Sequence, residues 1–176
     1  MRYLKVVVKD QSANAEADTV KLYFFQRNSP LPDELVRQAT AVDVSADGLV
    51  DYQMAGDLDG NGISSQEDRA LLQSFANDVL RLGWLSRPTM PTRSINFYVS
   101  RFDTATNPAE VRLDFYQSET PMRARAKLIF SLTADDVNGS GILQLDLEAL
   151  PPDLFNGVDR EVLQRMVDLY LKLNWS

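Results

Sequence analysis

The chain has 176 residues, of which 44% are hydrophobic, and its 18 basic and 25 acidic side chains leave a formal net charge of −7. The apolar fraction is that of an ordinary globular protein, and the negative charge argues against bulk attraction to nucleic acid or anionic lipid. The absence of cysteine and histidine excludes disulfides and removes the commonest general base and transition-metal ligand.

No apolar run is long enough to span a membrane, and no signal peptide is seen at the start of the sequence. The expected location is therefore the cytoplasm, without a membrane partner. There is also no glycine-rich phosphate loop and no nucleophile elbow. Catalysis would have to rest on carboxylates, tyrosine or lysine, and we predict that the protein is not an enzyme.

Two segments with strand-like alternation open the chain. Residues 4–9 and 20–25 place apolar side chains at every second position, as a strand with one buried face does. The polar link 10–18 joins them as a hairpin. The segment 35–44 reads as a third strand, although its start also suits a short helix, and a fourth strand is predicted at 48–54.

A helix is predicted after the fourth strand. Apolar residues between Leu71 and Leu82 recur at spacings of three and four, which gives one apolar face. Ser65 stands three positions before Asp68. This spacing is close to that of a capping box and indicates that the helix begins at the serine.

The second half of the chain repeats these elements at a constant offset of 91 residues. Identical pairs at this offset include Arg2 and Arg93, Gln26 and Gln117, Asp68 and Asp159, Gln73 and Gln164, and Trp84 and Trp175. Strands are expected at 95–99, 111–115, 125–132 and 141–147, followed by a helix that Asn156 caps. We therefore predict an α+β fold of two tandem ββββα repeats, 1–86 and 93–176, with the linker 87–92. Each repeat would have an antiparallel sheet and one C-terminal helix, and both would pack as one pseudo-two-fold body.

Residues 57–68 have the oxygen spacing of a calcium loop. Aspartate, aspartate and asparagine occupy positions 1, 3 and 5, glycine occupies position 6, and aspartate occupies position 12. Calcium prefers six to eight oxygen ligands. The stretch resembles an EF-hand loop and, more closely, a dockerin half-site, in which aspartate closes the loop and a helix bearing two leucines follows. The resemblance implies a Ca²⁺ ion held by Asp57, Asp59, Asn61, the Ile63 carbonyl and Asp68. The alternative is a metal-free turn in which Asp68 supports the start of the helix.

A second stretch, 136–141, is superficially similar to the first half of this loop. It aligns with residues 45–50 at the 91-residue offset rather than with the calcium loop. We expect it to form a hairpin turn.

One helix per repeat cannot cover both faces of a sheet, so one face is expected to be open. Its predicted side chains are basic and aromatic: Lys5, Lys21, Tyr23, Phe25, Tyr98, Arg112 and Tyr116. Tandem ββββα units resemble the PUR repeat and the Whirly fold in architecture, which implies binding of single-stranded nucleic acid. The alternatives are an ordinary solvated surface or an interface with a protein partner or a second copy. The sequence favours a non-catalytic interaction or assembly module whose loop is ordered by calcium, with a single-stranded nucleic-acid-binding protein as the second hypothesis.

Overall fold

The computed structural model describes residues 1–86, 92–104, 106–118, 126–137 and 139–175. Most of the predicted linker 87–92 and the predicted strand residue Arg125 lie outside these ranges. The strands are β1 (Arg2–Lys9), β2 (Thr19–Gln26), β3 (Glu34–Val42), β4 (Tyr52–Met54), β5 (Thr92–Phe102), β6 (Pro108–Ser118), β7 (Lys127–Asp135) and β8 (Gln144–Leu145). The helices are α1 (Gln66–Arg81) and α2 (Gly157–Lys172), and a short 3-10 helix lies at Leu147–Ala149. The α+β class is confirmed.

All eight strands belong to one antiparallel sheet with the order β4-β3-β2-β1-β5-β6-β7-β8. The prediction of a separate sheet in each repeat is wrong. Residues 4–7 of β1 pair with residues 94–97 of β5, which joins the two halves at the centre of the sheet. The pairing satisfies backbone groups on strand edges that would otherwise be exposed.

The two predicted hairpins are confirmed, since β1 pairs with β2 and β5 pairs with β6. The ambiguous third segment is a strand, because Glu34–Val42 pairs with β2 along its whole length. In the second half the third strand is displaced from the expected position. Val20 lies opposite Ala41 and Val111 lies opposite Ala134. The third strands are therefore 93 residues apart, so the gapless offset does not extend to them.

Both helices begin with the predicted cap. The side chain of Ser65 accepts a hydrogen bond from the amide of Asp68, and the Asp68 side chain accepts one from the Ser65 amide. Asn156 and Asp159 form the same reciprocal pair at the start of α2. Each box satisfies amides that the first turn of a helix leaves without a partner.

The core lies between the helices and one face of the sheet. Leu72, Phe75 and Val79 of α1 are buried together with Val162 and Met166 of α2, in the same cluster as the inward side chains of the central strands. The two helices also contact each other. Both helices therefore cover the same face. In the described ranges, no helix has both the length and the apolar character needed to cross a membrane.

The two tryptophans cross between the halves. Trp84 follows α1 but packs against Phe115 and Phe130 of the second half, with ring centroids 5.1 and 6.1 Å away. Trp175 follows α2 but packs against Phe24 of the first half at 5.5 Å, and its indole Nε1 donates a 3.1 Å hydrogen bond to the Tyr3 carbonyl. Each half therefore supplies a large apolar side chain to the core of the other.

Candidate metal centre and sheet face

The loop between β4 and α1 is held by hydrogen bonds from its own backbone to its acidic side chains. The Asp57 carboxylate accepts 2.9 Å hydrogen bonds from the amides of Gly60 and Gly62. Asp59 accepts one from the amide of Asn61 at 3.0 Å, and the Asn61 side-chain oxygen accepts one from the amide of Ile63 at 2.8 Å. The side-chain oxygens at positions 1, 3 and 5 are thus fixed within one tight turn.

Asp68 closes the loop from the first turn of α1. Its side chain is almost fully buried and accepts hydrogen bonds from the amides of Leu58, Asp59 and Ser65 at 2.6, 3.1 and 2.7 Å. Burial by itself raises the pKa of a carboxyl, but these hydrogen bonds outweigh it and leave the pKa of Asp68 below its usual value. The buried carboxylate is therefore ionised at neutral pH.

The three carboxylates of this loop converge. One ligand oxygen from each of Asp57, Asp59 and Asp68 lies within 4.8 Å of the other two, and no other three acidic side chains in the described ranges come this close. Calcium binds oxygen at 2.3–2.6 Å, so two ligands of one ion can be about 5 Å apart. The Asn61 side chain and the Ile63 carbonyl belong to the same turn. All five predicted ligand residues are therefore in the described structure, and the three acidic ones are in mutual reach.

Sequence reasoning noted the likeness at 136–141 but missed that the same loop conformation also begins at Asp10 and Asp43. In every case, with the first aspartate counted as position 1, its side chain accepts a hydrogen bond from the amide at position 6. The residues at positions 4 and 6 have positive φ. The amide at position 7 donates to the side chain at position 5. The first aspartates of the four loops are Asp10, Asp43, Asp57 and Asp136. The signal was present in the sequence, because serine, asparagine or aspartate stands two and four residues after each of them. The loop at 136–141 connects β7 to β8, so the predicted hairpin turn is confirmed; its residue 138 lies outside the described ranges.

Two of these loops are closed by an aspartate at position 9 instead of position 12. Asp18 accepts hydrogen bonds from the amides of Gln11 and Ser12, and Asp51 accepts them from the amides of Val44 and Ser45. These amides are at positions 2 and 3, which are the positions that Asp68 binds in its own loop. The closing carboxylate therefore binds the same two amides whether the loop belongs to a hairpin or leads into a helix.

The buried Asp18 carboxylate leads to a prediction about acid stability. Burial raises its pKa, but hydrogen bonds from Gln11, Ser12 and Thr19 outweigh burial and lower the pKa to about 2. Because the folded pKa lies below the unfolded one, Asp18 stabilises the protein above pH 4, and the contribution is lost as the pH falls towards 2. We expect Asp18→Asn to cost on the order of 2 kcal/mol at pH 7 and much less near pH 2.

Urea unfolding between pH 7 and pH 2 measures this difference. The exposed Asp153 provides the control, since Asp153→Asn should follow the wild type at every pH. A constant difference between Asp18→Asn and wild type over the whole pH range would show that the carboxylate charge is not the cause.

The predicted face side chains lie together on the sheet face opposite the helices. They alternate with fully buried neighbours such as Leu22 and Phe97, and all seven are partly exposed. Across the central strands, Lys5 lies opposite Tyr23 on one side and Asn96 on the other. Tyr98 lies opposite Arg112. The structure therefore brings the predicted surface together.

One predicted cation of this face is neutralised. Arg112 Nε donates to Asp114 Oδ1 at 2.8 Å, and the hydroxyls of Ser131 and Tyr98 also donate to the Asp114 carboxylate. Asp114 is only 7% exposed. Burial, followed by the charge of Asp114, raises the pKa of Tyr98 to about 12, and burial is also the main cause of the raised pKa of Tyr116. The hydroxyl groups of both tyrosines are therefore protonated and uncharged at neutral pH.

Lys5 and Lys21 are two further cations of this face. Neither forms an ion pair with any residue that the structure describes. Lys5 is partly buried at the centre of the sheet, and burial lowers its pKa. The side-chain oxygen of Asn96, directly opposite, is buried without a hydrogen-bond partner in the described ranges. The structure thus places a buried acceptor without a partner next to a partly buried cation without an ion pair.

Comparison of the chain with protein-family models, with curated proteins and with solved structures found no match in any of the three. The inferences about function therefore rest on the sites described above.

Proposed function

We propose that the protein is a non-catalytic interaction or assembly module in which Ca²⁺ orders the loop 57–68 and the open sheet face binds a protein partner or a second copy. The observation that carries the calcium proposal is the convergence of Asp57, Asp59 and Asp68 within 4.8 Å. Three carboxylates at this separation repel one another, and a divalent cation relieves the repulsion.

The backbone hydrogen bonds of Asp57 leave its carboxylate able to bind a metal ion. A carboxylate has two oxygens and about four lone-pair sites, and the amides of Gly60 and Gly62 occupy one site on each oxygen of Asp57. The remaining sites are available to a cation. The same amides hold the oxygens in place before the ion arrives, which reduces the entropy lost on binding.

Calorimetric titration of Ca²⁺ tests this proposal. Wild-type protein should bind the ion in the loop, and the double variant Asp57→Asn with Asp59→Asn should lose that binding event. Asp136→Asn provides a matched control, because Asp136 begins a loop of the same conformation without three converging carboxylates. Equal titration curves for wild type and the double variant would contradict the assignment.

We further propose that the chain arose by duplication and that its halves are related by a pseudo-two-fold axis. The β1–β5 pairing supports this. If each residue of one strand is replaced by the residue 91 positions away in the other strand, the same register results, and Lys5 and Asn96 exchange places. The reciprocal packing of Trp84 and Trp175 is consistent with the same axis. The 93-residue separation of the third strands fits an insertion of two residues between the second and third strands of the second half. A loss of two residues before α2 restores the offset, because the caps Ser65 and Asn156 are again 91 residues apart.

A protein interface is the better proposal for the sheet face. Pairing of Arg112 with Asp114 removes one cation from it, and the whole chain carries seven excess negative charges, which oppose a polyanion. Aromatic rings and a half-buried polar centre are typical of interfaces between proteins. Single-stranded nucleic acid is the second candidate, because the unpaired Lys5 and Lys21 lie beside the ring of Tyr23 and suit phosphates and bases.

Alanine substitution of Tyr23, Tyr98 and Tyr116 distinguishes the two candidates. At an interface, each substitution should shift the oligomer distribution in sedimentation velocity or release a bound partner, and a (dT)₂₀ oligonucleotide should not bind at moderate salt. Tyr52→Ala is the matched control, since Tyr52 is an exposed tyrosine of the edge strand β4. Tight oligonucleotide binding that weakens with salt, and by roughly 1–3 kcal/mol with each tyrosine lost, would instead support the nucleic-acid function.

A further inference from the structure

Arg37 connects the acidic loop to the C-terminal segment of the chain. Its Nη1 donates a 2.9 Å hydrogen bond to the Asp57 carbonyl, and its Nη2 donates a 3.2 Å hydrogen bond to the Leu173 carbonyl. These two carbonyls belong to segments more than one hundred residues apart in the sequence. One guanidinium therefore contacts both the proposed calcium loop and the segment that ends α2.

The same guanidinium lies between two aromatic rings. Its central carbon is 4.3 Å from the ring centroid of Phe24 and 5.0 Å from that of Trp175. Trp175 is 7% exposed and reaches this place from the second half of the chain. Trp175 thus packs against a cation that also contacts the acidic loop.

The arrangement is specific to this half of the molecule. Trp84 has the corresponding place in the second half, where the third strand supplies Phe130. Phe130 lies opposite Phe115 in the sheet, just as Arg37 lies opposite Phe24. A phenyl ring is sufficient to bury a tryptophan at this position. Burial lowers the pKa of Arg37, and the nearby carboxylates of Asp57, Asp59 and Asp68 oppose this effect by attracting its charge.

We propose that Arg37 is an electrostatic link through which Ca²⁺ binding in the loop 57–68 and docking of Trp175 weaken each other. This inference rests on the proposed calcium function. Without metal, the guanidinium contacts the loop and is attracted by three negative charges. A bound Ca²⁺ cancels two of those charges and repels Arg37, so the hold of Arg37 on Leu173 and Trp175 becomes weaker. Reciprocity requires that docking of Trp175 lowers the affinity of the loop for calcium by the same factor.

The first test is the calcium affinity of Arg37→Leu, measured by titration of CaCl₂ into the full chain. Loss of the charge should tighten binding by about fivefold or more, which is the lower end of ordinary coupling between sites. Arg37→Lys keeps the charge and should bind calcium within about twofold of wild type. Arg101→Leu is the matched control, because Arg101 is an exposed arginine that pairs with Asp103, Glu110 and Asp135; it should leave the calcium affinity unchanged.

The second test follows Trp175 directly. In a Trp84→Phe background, Trp175 is the remaining tryptophan, and CaCl₂ should shift its fluorescence emission to longer wavelength, with MgCl₂ at the same ionic strength as the reference. The shift should disappear in Arg37→Leu. If calcium binds with equal affinity to wild type and Arg37→Leu and leaves the emission unchanged, the link is wrong and the calcium site stands. If calcium binds none of the proteins, the calcium function itself is wrong and the link falls with it.

Discussion

Calcium is expected to raise the melting temperature of the protein by roughly 5–10 °C at a concentration one hundred times its Kd. An ion that binds only the folded state stabilises it by about 2.7 kcal/mol at this excess, and each kcal/mol raises the melting temperature of a chain of this size by about 2–4 °C. The stabilisation arises because unfolding separates Asp57 and Asp59 from Asp68, which are held within 4.8 Å in the folded loop.

Scanning calorimetry in Ca²⁺ and in chelator measures the shift. Asp57→Ala combined with Asp59→Ala should abolish it, whereas Asp153→Ala should preserve it, because Asp153 is exposed and far along the chain from the loop. Comparison of the double variant with wild type, both in chelator, separates the effect of lost hydrogen bonds from that of lost metal binding. Unchanged melting of the wild type in millimolar Ca²⁺ would count against a functional site.

Trp175→Ala is expected to destabilise the protein by about 3–5 kcal/mol, the usual cost of replacing a buried aromatic side chain by alanine. The substitution removes the contacts with Phe24 and Arg37 and leaves the Tyr3 carbonyl without its indole donor. It also removes a contact between the two halves, so the effect should appear as loss of the whole cooperative transition.

Urea unfolding followed by circular dichroism measures this cost. Trp175→Phe should be milder, since it keeps a ring against Phe24 and loses the indole hydrogen bond. Val137→Ala serves as the control, because Val137 is 85% exposed and its truncation should change the free energy of unfolding by less than about 0.5 kcal/mol. A cost below about 1 kcal/mol for Trp175→Ala would show that the second half does not depend on this contact.

Local patterns in the sequence predicted the local structure well. Period-two alternation identified the hairpins, and the serine or asparagine three residues before an aspartate identified both helix starts, because hairpins and caps are formed by residues close in the chain. The contact between β1 and β5 was missed, since any exposed strand edge can accept a partner and periodicity does not say which. The two-residue displacement of β7 was also missed, because a change in loop length does not alter the alternation of apolar and polar residues within the strand.

The candidate sites were predictable to different degrees. The ligand spacing of the loop 57–68 is local and was identified, and the acidic side chains do converge. The neutralisation of Arg112 was also within reach of sequence reasoning, because Asp114 lies two positions away on the same face of β6. The position of Arg37 between the loop and Trp175 was not, since it depends on a side chain 138 positions later in the chain.

The most direct test of the calcium proposal is a titration of ¹⁵N-labelled protein with CaCl₂ followed by amide resonances. The amides of Gly60, Gly62 and Ile63 donate to the side chains of Asp57 and Asn61, so their resonances report on any cation bound by those oxygens. We predict that these three resonances shift most and saturate together, and that Asp57→Asn with Asp59→Asn removes the shifts. Resonances of the loop 57–68 that stay unchanged up to millimolar Ca²⁺ would contradict the proposal.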